Sequence, residues 1–538
     1  MEINSFRSHI SDGYKFKGDS IILGTAILNN EAIPDTLVKV PLKSLNRHGL
    51  IAGATGTGKT KTIQVISEAL SEKSIPVLLM DVKGDLSGIA KSGSHHPKIK
   101  ERHDKIGISY TPHEFPIELL SLSGENGVRL RATVSEFGPV LFSKVLELND
   151  TQSSYISMIF KYCDDKDLPL LDLKDFKKVL HYITNDGKKE IQDNYGRIST
   201  SSLGTILRKI IEIEQQGADI FFGEKSFEVD DLLRIDDKGN GYISIIRLVD
   251  IQDRPKLFST FMLSLLAEIY SSFPEEGDLD QPKLVIFIDE AHLVFEEASK
   301  ALLDQIEIII KLIRSKGVGV YFCTQNPTDI PYSVLSQLGL KVQHALRAFT
   351  AKDRKMIKLT AENYPLSDYY NTDEMLTSLG IGEAAITALN EKGIPTPLAA
   401  TLLCAPKSRM DILTDQEIEE IVLNSKLVPI YNQSIDRNSA YEMLTEKLNF
   451  AKEKQEKNIK KVPQTRKRRK VSSKSSFEKM ISSPVVKQVG RTVAREFTRG
   501  LLGVLGLGGT TKKRRRKSNS FFSIIIQGEY LIINLIGG

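Results

Sequence analysis

Short apolar runs alternate with longer segments of helical periodicity along most of the chain. The runs predict buried strands, and they lie at residues 50–52, 76–81, 242–246, 284–288 and 318–324. Residues 59–72 place Ile63, Ile66 and Leu70 on one stripe, as an amphipathic helix does. Strands that alternate with helices are typical of an α/β protein whose mostly parallel sheet carries helices on both faces. We expect this fold class.

A glycine-rich loop joins the first predicted strand to the first helix. Its sequence, GATGTGKT at residues 53–60, matches the P-loop pattern G-x-x-x-x-G-K-S/T. The glycines allow successive N–H groups to face a triphosphate at the positive end of a helix. Lys59 is predicted to reach the β and γ phosphates of ATP, and the Thr60 hydroxyl to hold Mg²⁺. The predicted nucleotide-binding set is Gly53, Ala54, Thr55, Gly56, Thr57, Gly58, Lys59, Thr60 and Lys61. The alternative is a strand-to-helix turn that binds nothing.

Two adjacent carboxylates, Asp289 and Glu290, end the strand predicted at residues 284–288. Ligands of open α/β sheets bind at the carboxyl ends of the strands. Asp289 is therefore predicted to hold Mg²⁺ beside Thr60, and Glu290 to polarise the attacking water as general base. The alternative is that both acids cap the helix that follows. His292 is interpreted as a residue of that helix start.

The strand predicted at residues 318–324 ends in Gln325. In P-loop sheets of the additional-strand, catalytic-glutamate type (the RecA-like or ASCE class), the end of this strand lies between the phosphates and the attacking water. Gln325 is therefore predicted to sense the γ-phosphate. The alternative is an ordinary polar turn residue.

Several of these segments together resemble the HerA-FtsK superfamily of P-loop ATPases, and in particular its bacterial HerA-like branch. They are the loop at 53–60, the stretch at 76–88, the acidic strand, RSKGVGV from Arg314 and TQNPTDIP from Thr324. The resemblance implies hexameric rings that translocate double-stranded DNA, in which an arginine of one subunit completes the ATP site of its neighbour. Arg314 matches this arginine by its place after the acidic pair, and Arg347 is a second candidate. The alternative for both is a solvated surface charge.

The chain departs from the archaeal HerA pattern before the P-loop. Only 52 residues precede the loop, too few for the complete β-barrel that those enzymes carry there. Residues 18–27 predict a short β-hairpin or a remnant of it. In the family this barrel helps to assemble the ring and to dock nuclease partners, so a nuclease or other protein partner is an expectation from the resemblance alone.

Composition indicates a large protein of a reducing compartment. Apolar residues make up 41% of the 538, and the three cysteines, Cys163, Cys323 and Cys404, are too widely spaced for a disulfide framework or a zinc site. The N-terminal sequence has no apolar core of a signal peptide, and no stretch has the apolar length of a membrane span. We expect a cytoplasmic protein without integral membrane association.

The predicted elements divide the chain into five parts. About 160 residues separate the strands at 76–81 and 242–246, far more than a crossover needs, so an inserted lobe is expected, with helices at 145–163, 173–183 and 201–216. A hairpin at 382–389 and 396–403 is expected to close the sheet. The predicted parts are a short β segment at 1–48, the ATPase core at 49–100 and 241–450, the helical lobe at 101–240 and a basic tail at 451–538.

The tail concentrates the positive charge. Residues 451–517 contain 22 Lys or Arg and 4 acids, a net charge of +18, which leaves −13 on the remainder of a chain whose total is +5. The runs at 465–470 and 512–517 predict disordered arms that bind phosphate backbones. Residues 477–505 predict a basic amphipathic helix, for DNA, an acidic membrane surface or the protein's own acidic body. Residues 518–538 are apolar and have no functional interpretation.

The sequence thus predicts an ATP-hydrolysing P-loop motor, an oligomeric ring acting on double-stranded DNA. One alternative is an ATPase that remodels protein or acts in signalling without DNA translocation. A second is a nucleotide-gated DNA-binding scaffold without significant turnover.

Overall fold

In the computed structural model, the described residues are 2–122, 125–249, 254–277, 279–295, 300–433, 435 and 437–459. Their strands form one sheet in the order β2-β1-β12-β11-β10-β3-β9-β8-β4-β7-β5-β6. The strands are β1 Ser20–Leu28, β2 Glu31–Pro41, β3 Gly49–Ala52, β4 Val77–Asp81, β5 Ile117–Ser121, β6 Val128–Arg129, β7 Ile243–Arg247, β8 Leu284–Ile288, β9 Val318–Thr324, β10 Leu340–His344, β11 Glu383–Thr387 and β12 Ala399–Leu403.

Helices cover both faces of the sheet and form the insertion. In the part before β7 they are α1 Glu2–Gly13, α2 Lys59–Ser71, α3 Pro97–Ile106, α4 Val134–Val145, α5 Asp150–Asp165, α6 Leu173–Thr184, α7 Lys188–Asn194, α8 Thr200–Gln215 and α9 Ala218–Phe221. After β7 they are α10 Pro255–Ser272, α11 His292–Phe295, α12 Lys300–Ile313, α13 Tyr332–Leu335, α14 Ala351–Ala361, α15 Thr372–Ser378, α16 Asp415–Leu423, α17 Val428–Tyr431 and α18 Ala440–Ile459.

The centre of the sheet is parallel from β10 to β6. Strands β3, β4, β8 and β9 are buried along their whole length, as strands covered on both faces are. β9 lies between β3 and β8, which is the additional-strand order. The predicted α/β P-loop fold class is confirmed, and the predicted central strands agree with the observed ones to within a residue or two.

The antiparallel end of the sheet differs from the prediction. The predicted hairpin is present as β11 and β12, but it does not close the sheet, because β1 pairs antiparallel with β12 and β2 lies beyond it. Gly24 permits this pairing, since a Cβ there would lie 2.0 Å from the carbonyl oxygen of Leu402. The short hairpin predicted at residues 18–27 is therefore not observed as such: these residues form most of β1, which pairs with β2 at the end of the same sheet.

The insertion contributes strands as well as helices. β5 pairs with β7 and β6 pairs with β5, so they extend the sheet beyond the predicted strands. Helices α4 to α9 then pack in one hydrophobic core with α10 and α12, where Phe142 and Phe176 have ring centroids 4.9 Å apart. The three predicted lobe helices correspond to α5, α6 and α8. The lobe thus covers one face of the sheet.

The last described helix, α18, crosses the predicted boundary at residue 451 and packs against α6. The polybasic runs, the amphipathic helix predicted at 477–505 and residues 518–538 lie outside the described residues. Within the described ranges, none of the helices combines the length and apolarity that a membrane crossing requires.

Candidate nucleotide-binding and hydrolysis site

The loop at residues 53–60 has the conformation that its glycines allow. Gly53, Gly56 and Gly58 all have positive φ, and a Cβ at Gly53 would lie 2.4 Å from the Cβ of His344. Gly58 caps the amino end of α2, which begins at Lys59. The tip of the loop is exposed at Thr55 and Gly56, so the N–H groups at the start of α2 border a solvent-open cradle.

The Lys59 side chain lies over this cradle. Its Nζ donates to the carbonyl oxygens of Gly53 at 2.7 Å and Ala54 at 3.3 Å. Burial, and after it the nearby positive charge of Lys83, lower the pKa of Lys59. A phosphate bound in the cradle would raise the pKa of Lys59 again, because its negative charge stabilises the ammonium. The ammonium therefore stands where an anionic ligand stabilises it.

Neighbouring strand ends hold the loop in place. The Ala54 N–H donates to the Ala345 carbonyl at 3.0 Å, directly after β10, and the Gly53 N–H donates to Thr324 at the end of β9. His344 is fully buried under the loop, with its Nε2 2.9 Å from the Thr62 hydroxyl. Burial lowers the pKa of His344 to about 4, so this imidazole is neutral at pH 7.

Lys61 has a different position from Lys59. Its Nζ donates to the carbonyl oxygen of Met410 at 2.5 Å and to Gln64 Oε1 at 3.3 Å, and not to the loop carbonyls that Lys59 meets. The structure therefore does not bring the Lys61 ammonium to the phosphate cradle, and only its backbone N–H, in the first turn of α2, belongs to it.

Three aspartates meet beside Thr60. Carboxylate oxygens of Asp81, Asp85 and Asp289 all lie within 4.8 Å of one another. The Thr60 hydroxyl donates to Asp85 Oδ2 at 3.1 Å. Asp81 accepts from the backbone N–H groups of residues 84–86, so its oxygens hold the loop after β4. The predicted ligands Thr60 and Asp289 are thus placed at one acidic cluster.

The cluster fits a divalent cation. Among the described residues, Asp289 Oδ2 and Asp85 Oδ1 are buried oxygens without a hydrogen-bond partner. Burial, and then the charge of Glu290, raise the pKa of Asp289 to about 7. A bound Mg²⁺ would stabilise the charged form of Asp289 and would coordinate the oxygens that have no hydrogen-bond partner. Carboxylate and hydroxyl oxygens are ligands that Mg²⁺ prefers. Thr60, Asp85 and Asp289 are the residues that would hold it.

Asp85→Asn is expected to raise the Mg²⁺ concentration for half-maximal ATP turnover by about tenfold or more, because the amide keeps the Thr60 hydrogen bond but loses the charge. A Mg²⁺ titration of turnover measures it, with exposed Asp368→Asn as the control. Asp81→Asn should instead lower Tm, since that carboxylate holds a loop. An unchanged Mg²⁺ dependence in folded Asp85→Asn would remove this residue from the metal site.

Glu290 lies one residue beyond Asp289 at the carboxyl end of β8. It is buried, has a φ of 46° and turns the chain into α11, which begins at His292 as predicted. Its Oε1 forms an ion pair with Lys83 Nζ, and its Oε2 lies 3.2 Å from His292 Nδ1. Both oxygens of the predicted base are thus next to nitrogen atoms of neighbouring side chains.

Gln325 follows β9 at the same edge of the sheet. Because β9 runs between β3 and β8, Gln325 stands between the phosphate loop and the acidic strand end, as predicted. Its side chain is half-buried. The turn after it is fixed by Asp329, which accepts from the Thr324 hydroxyl and the Asn326 N–H.

The two candidate arginines lie at opposite edges of the sheet. Arg314 is exposed and lies four residues before the start of β9. The seven residues of β9 span ~23 Å, so Arg314 lies far from the P-loop of its own chain. Arg347 is exposed at the carboxyl edge, three residues beyond the end of β10 rather than closing it. Only Arg347 is near its own P-loop.

Sequence reasoning missed Asp81, Asp85, Lys83 and His344. A signal for the first two was present, because MDVKGD follows a buried apolar run just as IDE does. Lys83 and His344 gave no such signal. Their places depend on which strands are neighbours, which no local pattern shows.

With this geometry described, comparison with known proteins gives the family. The model of the family "Helicase HerA-like C-terminal" matches residues 27–514. The chain belongs to this family. The HerA-FtsK resemblance is therefore confirmed, and the match covers the strands from β2 onward and the inserted lobe of this HerA-like chain.

Curated relatives are distant, and the similarity covers only part of each of them. The DNA double-strand break repair helicase HerA of Sulfurisphaera tokodaii is 26% identical over 360 residues, which are 65% of this chain and 64% of that protein. The protein of the same name from Saccharolobus solfataricus is 25% identical over 355 residues, 65% of this chain and 63% of that protein. The HerA-like chain thus spans less than two thirds of the length of these relatives.

Among solved structures, the bacterial conjugative coupling protein TrwBdeltaN70 has a TM-score of 0.49 at 13% identity, covering 76% of this chain and 94% of that chain. A structural similarity at this level gives no information about function.

Proposed function

We propose that this HerA-like chain is an ATP hydrolase that works as an oligomeric ring on double-stranded DNA. The observation that carries the proposal is the meeting of the phosphate loop, the buried aspartates and Glu290 at one edge of the sheet. Two buried aspartate oxygens at this place have no hydrogen-bond partner, and a bound metal–nucleotide complex would supply one.

Each side chain then has a separate task. Lys59 moves from the loop carbonyls to the β and γ phosphates, and the N–H groups of the loop and of the start of α2 hold the other phosphate oxygens. Glu290 polarises the attacking water, and Gln325 orients it or senses the γ-phosphate. Thr60, Asp85 and Asp289 would hold Mg²⁺, which would supply positive charge that neutralises the phosphates.

Departure of Lys83 would make Glu290 a stronger base. The lysine charge beside Glu290 Oε1 stabilises the carboxylate and lowers its tendency to take a proton from water, although other lone pairs of the carboxylate remain open. Lys83 is the more exposed partner, with 40% of its side chain accessible against 6% for Glu290, so the lysine is the group that can leave. Binding of ATP would draw it away because the phosphates offer a stronger anion.

The place of Arg314 supports the proposed oligomer. Because this arginine lies at the amino edge of its own sheet, a role in ATP hydrolysis would require the site of a neighbouring subunit. A ring of six, a cytoplasmic location and a nuclease or other protein partner are proposals from the resemblance and composition. The DNA target is supported by the +18 of residues 451–517 and by the names of the relatives, which are DNA double-strand break repair helicases.

ATP turnover with and without duplex DNA tests the proposal. We expect DNA to stimulate turnover of the full chain by at least severalfold. DNA-independent turnover would favour a protein remodeller, and DNA binding without turnover would favour a nucleotide-gated scaffold.

Ending the chain after Ile459, where α18 ends, serves as a second arm of the same test. DNA affinity and its salt slope should fall because the charged tail is gone, while basal turnover should persist because every proposed catalytic group precedes it. Unchanged DNA affinity with a lowered Tm would assign the tail to packing on the acidic body.

A further inference from the structure

The outward face of α14 carries four cations within seven residues. Lys352, Arg354, Lys355 and Lys358 are all exposed, whereas Ile357 on the opposite side is buried. At 3.6 residues per turn, the four cations lie within an arc of about 160° and along ~9 Å of the helix axis. We call these four residues the α14 basic face.

This face lacks the partners that cations elsewhere in the protein have. Within the described part of the chain, no carboxylate forms an ion pair with any of the four, whereas Lys177, Arg234 and Arg409 each pair with a glutamate. The acid in the sequence of the helix, Asp353, is used at its amino end, where it accepts from the N–H groups of Phe349 and Thr350. The face therefore presents to solvent four cations that form no ion pair among the described residues, although the charge of Lys352 also acts on Asp353.

An aromatic ring stands at the edge of the face. Phe349 is 88% exposed, and its N–H is held by Asp353, so the ring projects from an ordered turn. A single exposed aromatic side chain is ordinary on a protein surface. The position of Phe349 is what matters here, because a ring beside these cations would lie against the sugars of a strand that they bind.

The chain connects this face directly to the phosphate loop. β10 ends at His344, which packs under Gly53, and the Ala345 carbonyl accepts from the Ala54 N–H at 3.0 Å. Phe349 follows Ala345 by four residues and α14 begins two residues later. A displacement of α14 would therefore be transmitted to the P-loop through the short segment between Ala345 and the start of α14.

We propose that the α14 basic face, with Phe349 at its edge, binds the phosphate backbone of duplex DNA and couples this contact to the P-loop through Ala345. The proposal rests on the proposed function and adds the motor's own DNA contact, separate from the basic tail. Four cations along ~9 Å of the helix axis can meet about two neighbouring phosphates of one strand. The choice of DNA rests on charge complementarity, because a polyanionic backbone matches a face whose cations form no ion pair among the described residues.

The first test neutralises the face in the full chain. Combined Lys352→Gln, Arg354→Gln, Lys355→Gln and Lys358→Gln should lower duplex affinity about tenfold or more at 0.1 M salt and reduce the log–log salt slope by about 2. DNA stimulation of turnover should fall with it, while turnover without DNA and the KM for ATP stay the same. The control removes the same charge at four other exposed lysines: Lys15, Lys17, Lys188 and Lys189.

The second test is independent of the tail's own affinity. Phe349 is replaced by photoreactive benzoylphenylalanine in the full chain, and labelled duplex DNA is irradiated with the protein. We expect a crosslink at Phe349 and none at Leu423, which is 77% exposed but lies on α16 beside β5, six strands beyond β10 in the sheet order.

The outcomes separate this inference from the proposed function. If the unaltered chain neither binds duplex DNA nor responds to it, the proposed function fails. If the unaltered chain responds to DNA but the neutralised variant keeps its affinity, slope and stimulation, and Phe349 does not crosslink, then only the α14 inference is overturned. Equal losses in the neutralised and control variants would also overturn it, because net charge alone would then explain them.

Discussion

Glu290→Gln is expected to bind ATP and retain it unhydrolysed, with turnover reduced by a factor of about 10²–10⁴, because the amide cannot accept the proton of the attacking water. Lys59→Ala should lose turnover through weaker nucleotide binding, since its ammonium stands over the cradle. The two variants therefore differ in ATP affinity although both lack activity. Direct binding of labelled ATP together with phosphate release measures both quantities.

Exposed Glu419→Gln controls for the loss of a carboxylate and should behave as the unaltered chain. Glu290→Gln also breaks the ion pair with Lys83, so its Tm should be recorded in the same preparation. Near-normal turnover in folded Glu290→Gln would exclude Glu290 as the base. Equal ATP affinity in the Lys59→Ala and unaltered proteins would exclude the role given to Lys59.

The parts of the site that the sequence predicted are those that a local pattern encodes. The strand at Leu284–Ile288 is apolar throughout and followed at once by acids, and the loop at 53–60 is a contiguous motif, so both could be located without knowledge of the sheet. Gln325 required one further step, the additional-strand order, which the structure confirms. Local signals thus sufficed for the loop, the acidic pair and their shared edge.

The remainder depends on contacts between distant parts of the chain. Asp85 meets Thr60 across 25 residues because α2 contacts β4. His344 meets Thr62 across 282 residues because β10 pairs with β3. No periodicity encodes such pairings. The wrong expectation that β11 and β12 close the sheet has the same origin, since β1 reaches β12 from the other end of the chain.

Arg314→Ala alone should reduce turnover by a factor of about 10³ or more, as expected for an arginine that neutralises transition-state charge from a neighbouring subunit. Lys59→Ala should be inactive as well. When equal amounts of the two inactive proteins are mixed, about a quarter of random interfaces join an intact P-loop to an intact arginine, so up to about a quarter of normal turnover should return if sites act independently. Rescue on mixing is therefore the measurement.

This rescue has a definite geometric cause. Arg314 precedes β9 whereas the P-loop follows β3, so the two lie at opposite edges of one sheet and no movement of a side chain can bring them together within one subunit. Restored turnover hence requires that one subunit present its amino edge to the carboxyl edge of the next. Mass measurement must show that mixed oligomers form. Mixed oligomers that stay inactive would reject Arg314 as the shared residue and leave Arg347 to be tested in the same way, whereas a monomer in the presence of ATP would reject the ring itself.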